Sequence, residues 1–221
     1  MKRLASLILF AALTVSGSAF AAGTAAMDSA IAHLQSEWGR IKYQVPDEDT
    51  QSNQMAALAD EADRVVAEFP GKAAPLIWSA IIKSTQAGID GGLGGLSKAR
   101  KARDLLEQAQ AIDPDALEGS ISTTLGSLYY QVPGFPIGFG SKKKAREYLE
   151  KAIAVNPDGI DPNFFYGDFL LRQGDYKDAR TYLSRAMQAP LRSCCEVADR
   201  GRKGEIRDML TKVDQKLDHQ S

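Results

Sequence analysis

The sequence predicts an all-α fold of stacked antiparallel helical hairpins, mainly because one short segment occurs three times. The copies are KARDLLEQAQAIDPD at residues 101–115, KAREYLEKAIAVNPD at 144–158 and DARTYLSRAMQAPLR at 178–192. In each copy an Ala is followed four residues later by Leu and seven residues later by Ala, so the three side chains share one face of a helix. Small Ala side chains let a neighbouring helix approach closely. Each copy is therefore expected to be the second helix of a hairpin.

The spacing of the copies narrows the fold class. Ala145 and Ala179 are 34 residues apart, which is the period of the tetratricopeptide repeat. Ala102 precedes Ala145 by 43 residues, so that unit carries roughly nine extra residues. Two further segments match the L-G-x2-Y pattern of that repeat's first helix: Leu125-Gly126 with Tyr129, and Tyr166-Gly167 with Leu170. We therefore predict a tetratricopeptide-like α-solenoid over residues 25–218, with about four hairpins and a C-terminal capping helix.

The order of the helices is predicted from apolar residues at helical spacing and from Pro, Gly and Asp residues that start or end helices. Asp161 is expected to cap a helix whose first turn contains Pro162, and Gly174 is expected to end it. Helices are expected at residues 25–44, 53–69, 73–87, from 98 after Ser97, from 142 after Ser141, 163–172, from 175 and 205–217.

Residues 1–21 have the pattern of a cleaved secretory signal peptide. Lys2 and Arg3 give a basic start, Leu4 to Val15 form an apolar run, and Ala19-Phe20-Ala21 resembles a cleavage site. The apolar run is short for a membrane span, and no Cys for lipid attachment lies near the cleavage site. We therefore expect a periplasmic or secreted protein with no membrane span after cleavage.

Composition argues against several function classes. Without Lys2 and Arg3 the chain has 25 basic and 28 acidic residues, which does not suit a nucleic-acid-binding protein. The two histidines, His33 and His219, lie near opposite ends of the chain, so no metal cluster or His-centred triad is expected. No Gly-Lys-Ser/Thr of a phosphate-binding loop occurs. We predict no catalytic residues, no metal, no cofactor and no enzyme activity.

Cys194 and Cys195 are adjacent, and their role is open at this point. Neighbouring Cα atoms are about 3.8 Å apart, less than the roughly 4.4–6.8 Å of ordinary disulfides. Three alternatives remain: a local structural or incidental pair, an intermolecular disulfide, and a redox or metal role.

Two glycine-rich segments at equivalent places in their hairpins carry the strongest functional signal. Residues 88–96 and 132–140 are predicted to be irregular insertions that lie side by side, each followed by a Ser cap and a basic helix start. They could form a pocket for an anionic or amphipathic ligand or a surface for an acidic partner; alternatively, the charges are solvated and the aromatic side chains belong to the core. The candidate ligand- or partner-binding residues are Tyr129, Tyr130, Phe135, Phe139, Lys142, Lys143, Lys144 and Lys98.

Residues 125–176 resemble a known family more narrowly. The segment VPGFPIGFGSKKK at residues 132–144 and the turn NPDGIDPN at 156–163 are similar to the T-component of tripartite ATP-independent periplasmic (TRAP) transporters. That resemblance implies an all-helical periplasmic protein that associates with a substrate-binding protein and holds or passes small organic ligands.

The leading hypothesis is a non-enzymatic periplasmic adaptor that binds another protein, with the solute-binding component of a TRAP-type transporter as the implied partner. The alternative is a carrier of a small anionic or amphipathic ligand in a pocket lined by the two insertions. The sequence leaves the oligomeric state open, including a homo-oligomer.

Overall fold

The computed structural model describes residues 16–219, with side chains from residue 23, and folds them into nine α-helices. Most of the predicted signal peptide at residues 1–21 lies outside the described residues. The helices are α1 Ser16–Gln44, α2 Glu48–Glu68, α3 Ala73–Asp90, α4 Gly92–Ile112, α5 Ser120–Gln131, α6 Lys142–Val155, α7 Ile160–Gln173, α8 Tyr176–Gln188 and α9 Glu196–Asp218. None of these helices combines the length and the hydropathy needed to cross a membrane.

Consecutive helices pair as four antiparallel hairpins, α1–α2, α3–α4, α5–α6 and α7–α8, and α9 packs on α8. The predicted α-solenoid with a C-terminal capping helix is therefore confirmed. One large apolar core runs from α3 to α9. A smaller one joins α1 and α2 to Ile82 of α3 and Ala198 of α9.

The repeated Ala-Leu-Ala faces lie in the hairpin interfaces, as the spacing predicts. All nine residues of the three copies are fully buried. The glycines of the first helices meet these faces: a Cβ on Gly126 would lie 2.6 Å from Leu149 Cγ, and one on Gly167 would lie 2.7 Å from Leu183 Cγ. A side chain at either position would push the two helices of its hairpin apart. The Gly of the repeat pattern is thus a packing requirement.

The prediction of an irregular insertion at residues 88–96 is wrong. Residues 88–90 continue α3, residues 92–96 begin α4, and the turn is confined to Gly91 (φ 60°) and Gly92 (φ 53°). A Cβ on Gly95 would lie 2.4 Å from the Ala87 carbonyl oxygen. The glycines therefore serve a very tight hairpin with touching backbones, and helix–helix packing outweighs their low helix propensity. Ser97 lies inside α4 and is not its cap.

Residues 132–140 form the irregular loop that their composition predicts. The loop is closed on itself by a hydrogen bond from Gly140 N to the Pro133 carbonyl (2.9 Å). Ser141 then caps α6 by accepting a hydrogen bond from Lys144 N.

Several predicted helix starts need correction. Helix α1 begins at Ser16 instead of residue 25, and α2 begins at Glu48 instead of residue 53, because Asp47 caps it by accepting a hydrogen bond from Thr50 N.

Helix α7 begins at Ile160 with Gly159 at the cap position, so Asp161 lies in the first turn, where its carboxylate pairs with arginines from outside the helix. Helix α9 begins at Glu196, nine residues before the predicted start at 205. Its first turns carry few apolar residues because they face α1 and a buried ion network, which the apolar pattern does not reveal.

Candidate functional site

The first helices of the four hairpins line a cavity of about 950 Å³. Helices α1, α3, α5 and α7 form its wall, and the start of α9 with the segment before it completes the wall. Stacked repeats present their first helices along one face, so such a cavity is a direct consequence of the architecture. Its aromatic and aliphatic lining includes Trp38, Trp78, Ile81, Leu128, Phe164 and Phe165.

Direct packing of α9 on α1 closes the wall of the cavity. Two glycines permit the contact: a Cβ on Gly201 would lie 2.3 Å from the Tyr43 ring, and one on Gly39 would lie 3.3 Å from Ala198 Cβ. Lys42 Nζ pairs with Glu205 Oε1 (3.2 Å) across the same contact. The two ends of the solenoid therefore meet, and the inner face becomes a chamber that remains partly open to solvent.

A network of buried charges lies beside this closure. Arg202, whose side chain is 6% exposed, pairs with Asp161 of α7 (Nε to Oδ1, 3.2 Å) and with Glu205. Its guanidinium also lies over the Phe164 ring, 4.2 Å from the centroid. Arg192 bridges Asp161 and the fully buried Asp199. Because every charge in the network has an opposite partner, the network can join α7, α9 and the preceding segment without an unpaired buried ion.

Burial and pairing shift the pKa values of this network. Burial lowers the pKa of Lys42 to about 8, and the Arg202 charge acts in the same direction. Burial alone would raise the pKa of Asp161, but Arg202 and Arg192 hold it below its usual value. Burial likewise opposes ionisation of Glu205, whose pKa is nevertheless lowered by Arg202 and Lys42. Both carboxylates therefore remain charged. Lys42 is the group in the network whose charged form is destabilised most by burial.

Helix α5 contributes a row of small polar side chains to the cavity wall: Ser120, Thr123, Thr124 and Ser127, continued by Gln131. The hydroxyl groups donate to carbonyl oxygens of their own helix or its preceding turn, for example Thr124 Oγ1 to the Ser120 carbonyl (2.8 Å). Their lone pairs can still accept a hydrogen bond. The wall thus offers acceptors beside the aromatic surface. The repeated Ser and Thr residues of SISTTLGS, residues 120–127, indicate this polar row, but the sequence analysis did not use them.

Cys194 and Cys195 are joined to each other by a disulfide bond and line the cavity just before α9. Of the three sequence alternatives, the structure contains the local pair. Cys195 Sγ also lies 3.9 Å from Gln35 Oε1 of α1. The disulfide is therefore part of the wall where the two ends of the solenoid meet.

None of the eight residues predicted to bind a ligand or partner lines this cavity, and of the two predicted insertions only Gly88 and Ile89 reach it. Tyr129 is buried, stacked on Tyr148 and in edge contact with Phe139 (5.6 Å between centroids). Tyr130 donates a hydrogen bond to Asp168 Oδ2 (2.7 Å), which holds α5 to α7. These three aromatic residues hold neighbouring helices together.

The remaining candidates lie on the outer surface. Phe135 is 93% exposed, Lys142 and Lys143 are exposed at the start of α6, and the Lys144 ammonium lies over the Tyr129 ring (5.1 Å). Lys98 pairs with Asp90. Arg100 donates to the Ile137 carbonyl (3.0 Å), so the two glycine-rich segments are in contact.

Groups suited to metal binding are absent from the described residues, where no three His, Cys, Asp or Glu side chains are placed to hold an ion. His33 instead pairs with Glu61 on the surface (3.1 Å).

Comparison with known proteins agrees with the fold. The tetratricopeptide repeat family matches residues 140–190. No curated protein matches the chain. The crystal structure of a tetratricopeptide repeat protein from Thermus thermophilus is similar with a TM-score of 0.52, at 14% identity over 86% of this chain and 94% of that one. The structure of PilF from Pseudomonas aeruginosa matches over 90% of this chain and 93% of its own at 16% identity, with a TM-score of 0.36. The family match and the Thermus thermophilus structure show that the fold is that of a tetratricopeptide-like helical repeat protein.

Proposed function

We propose that this chain is a non-enzymatic adaptor that binds a short segment of another protein in its central cavity. The carrying observation is the partly open chamber of about 950 Å³ that the first helices of all four hairpins line. Repeat solenoids use this face as a binding surface. A folded domain of 100 residues has a radius of gyration of about 13 Å and could not enter such a space, so the partner must offer a tail or loop.

The cavity wall suits a peptide segment that has both apolar and polar groups. Trp38 and Trp78, in edge contact at 6.2 Å, and the pair Phe164 and Phe165 supply large apolar surfaces. Arg172 and Asp168 provide charge, and the hydroxyl row of α5 accepts hydrogen bonds from backbone N–H groups. Aromatic anchors that fix one side chain of the partner, with polar groups around them, are typical of protein recognition sites.

The finer proposals are a periplasmic location and, as the partner, the solute-binding component of a TRAP-type transporter. The basic and apolar pattern of residues 1–21 supports export. The resemblance of residues 125–176 to the T-component of these transporters supports the partner.

A second candidate function is the carriage of a small organic ligand, and the cavity volume favours it specifically. Binding sites for small molecules measure about 300–1,000 Å³, a range that includes this chamber. The ligand would lie among Trp38, Trp78, Phe164 and Phe165, and not between the two glycine-rich segments.

A pair of substitutions tests whether the cavity is the binding site. Ser84 lines the cavity, and its hydroxyl bonds the carbonyl four residues earlier in α3. Ser84→Trp should fill part of the chamber without disturbing the core. Thr181 makes the same hydrogen bond on the exposed side of α8, so Thr181→Trp is the matched control.

Tagged wild-type and variant proteins would be used for pull-downs from a periplasmic extract, with native mass spectrometry of the purified proteins. For an adaptor, a protein held by wild type and Thr181→Trp is lost with Ser84→Trp. For a carrier, a small-molecule adduct shows the same pattern. If partners and adducts are identical in all three samples, the cavity is not the binding site.

A further inference from the structure

The surface around residues 91–103 and 132–146, here called the basic edge, exposes three large apolar side chains. Leu93 is 83% exposed, Phe135 is 93% exposed and Ile137 is 62% exposed. They stand out from the surface on the first turn of α4 and on the loop before α6. Apolar side chains exposed together, away from the cavity, indicate an interaction surface.

The charge of the basic edge has one sign. Its two segments contain eight Lys and Arg residues and no Asp or Glu, in a chain whose net charge is −1. Of the flanking acids, Asp90 and Asp104 pair with Lys98 and Arg103, and Glu147 is exposed just past the end of the second segment. The exposed cations are Arg100, Lys101, Lys142, Lys143 and Lys144.

The loop that carries Phe135 and Ile137 is fixed in place. Arg100 holds the Ile137 carbonyl (3.0 Å), the Arg103 guanidinium lies over the Phe139 ring (4.7 Å), and Ser141 N donates to the Tyr129 carbonyl (2.7 Å). Phe139 thus turns inward while Phe135 points away from the protein. Phe135 and Ile137 are therefore presented on a fixed loop, so their binding costs little conformational entropy.

From these observations we infer that the basic edge docks on a bilayer that contains anionic phospholipids. Phe135, Ile137 and Leu93 enter the boundary between headgroups and acyl chains, while the surrounding lysines and arginines contact lipid phosphates. Peripheral membrane binding combines these two terms, apolar burial and attraction to anionic lipid.

An acidic protein surface is the other partner that a basic edge could fit, but the shape and composition favour lipid. A nearly fully exposed Phe needs a matching pocket on a protein, whereas a fluid bilayer accepts it anywhere. The exposed cations match the anionic plane that such a bilayer presents. The inference is independent of what the central cavity holds.

Co-sedimentation of the full chain, lacking only the predicted signal peptide, with lipid vesicles tests this inference. Vesicles of phosphatidylcholine with one-third phosphatidylglycerol should bind the protein, and pure phosphatidylcholine should bind it much more weakly. Lys142→Gln with Lys143→Gln should weaken binding roughly 25-fold, since each lysine near an anionic surface contributes roughly fivefold. Phe135→Ser should weaken it roughly tenfold, because the apolar contact is lost. Added salt should weaken wild-type binding further.

Ile112→Ser and Lys177→Gln are matched controls, because both residues are exposed but lie outside the basic edge. They should bind vesicles like wild type. The inference is overturned if wild type ignores anionic vesicles, or if the edge and control variants bind equally. A third result also overturns it: the protein does not bind vesicles, and the edge variants lose a protein partner that wild type retains. The basic edge would then be a protein interface. Circular dichroism of each variant checks that the fold is kept.

Discussion

Replacing Gly167 by Ala tests the packing rule that defines the repeats. The new Cβ would lie 2.7 Å from Leu183 Cγ, 2.9 Å from Cδ2 and 3.3 Å from the Leu183 backbone nitrogen. Carbon atoms in contact prefer about 3.5–4.0 Å. Leu183 is fully buried, and its Cγ is a branch point that cannot move aside as a flexible end would. Helices α7 and α8 must therefore separate.

The net effect follows from two opposing terms. Overpacking costs about 1–3 kcal/mol, and a contact this close belongs near the upper end. The better helix propensity of Ala returns about 1 kcal/mol. We expect a net loss of about 2 kcal/mol, which lowers the Tm of a chain of this size by roughly 4–8 °C. Thermal and urea unfolding followed by circular dichroism would measure it.

Gly204→Ala is the matched control, since Gly204 lies within α9 and a Cβ there would meet only Arg207 Nη2 at 3.9 Å. That variant should gain about 0.5–1 kcal/mol. Gly126→Ala should behave like Gly167→Ala, because its Cβ would lie 2.6 Å from Leu149 Cγ in the preceding hairpin. If Gly167→Ala is as stable as Gly204→Ala, the packing argument for the repeat is wrong.

Three further predictions concern the contacts between helices. Tyr130→Phe should lower the free energy of unfolding by about 0.5–1.5 kcal/mol in urea titrations, since Asp168 loses the tyrosine hydroxyl but keeps Arg172 as a donor. Arg202→Met should cost about 3–5 kcal/mol, because Asp161 and Glu205 lose the arginine that pairs with both; an unchanged urea midpoint would show that the network does not hold α9. The pKa of Lys42 falls to about 8 in the folded chain from 10.5, so the unfolded state binds more protons between these values and stability should rise with pH through this interval. Lys42→Met should reduce that rise when unfolding is compared at about pH 7.5 and pH 9.5; an unaltered slope would refute the assignment.

The sequence predicted the hairpins because their determinants are local. Ala102, Leu106 and Ala109 fall on one helical face, and the same three positions are buried in each copy. Gly174 adopts the left-handed conformation (φ 87°) that ends α7, as a glycine at that place predicts. These signals lie within a few residues of the structure they specify.

The cavity and its closure could not be predicted in the same way. The contact of Tyr43 with Gly201 and the pairing of Lys42 with Glu205 join residues about 160 positions apart, and nothing local marks them as partners. The glycines around Gly91 were interpreted as an irregular loop, because a glycine-rich segment is typical both of a loop and of a very tight helical hairpin. Only the approach of Gly95 to the Ala87 carbonyl separates the two.

The proposed function depends on the cavity being the place where this chain binds its partner. The most direct test places the photoreactive amino acid p-benzoylphenylalanine at Phe165, which lines the cavity, and at Tyr176, which does not line it, in cells that produce the protein. We predict that light joins position 165 to one protein, identified by mass spectrometry, and that Ser84→Trp abolishes this product, while position 176 does not give it. Products that are the same from both positions, or a product at 165 that survives Ser84→Trp, would contradict the claim.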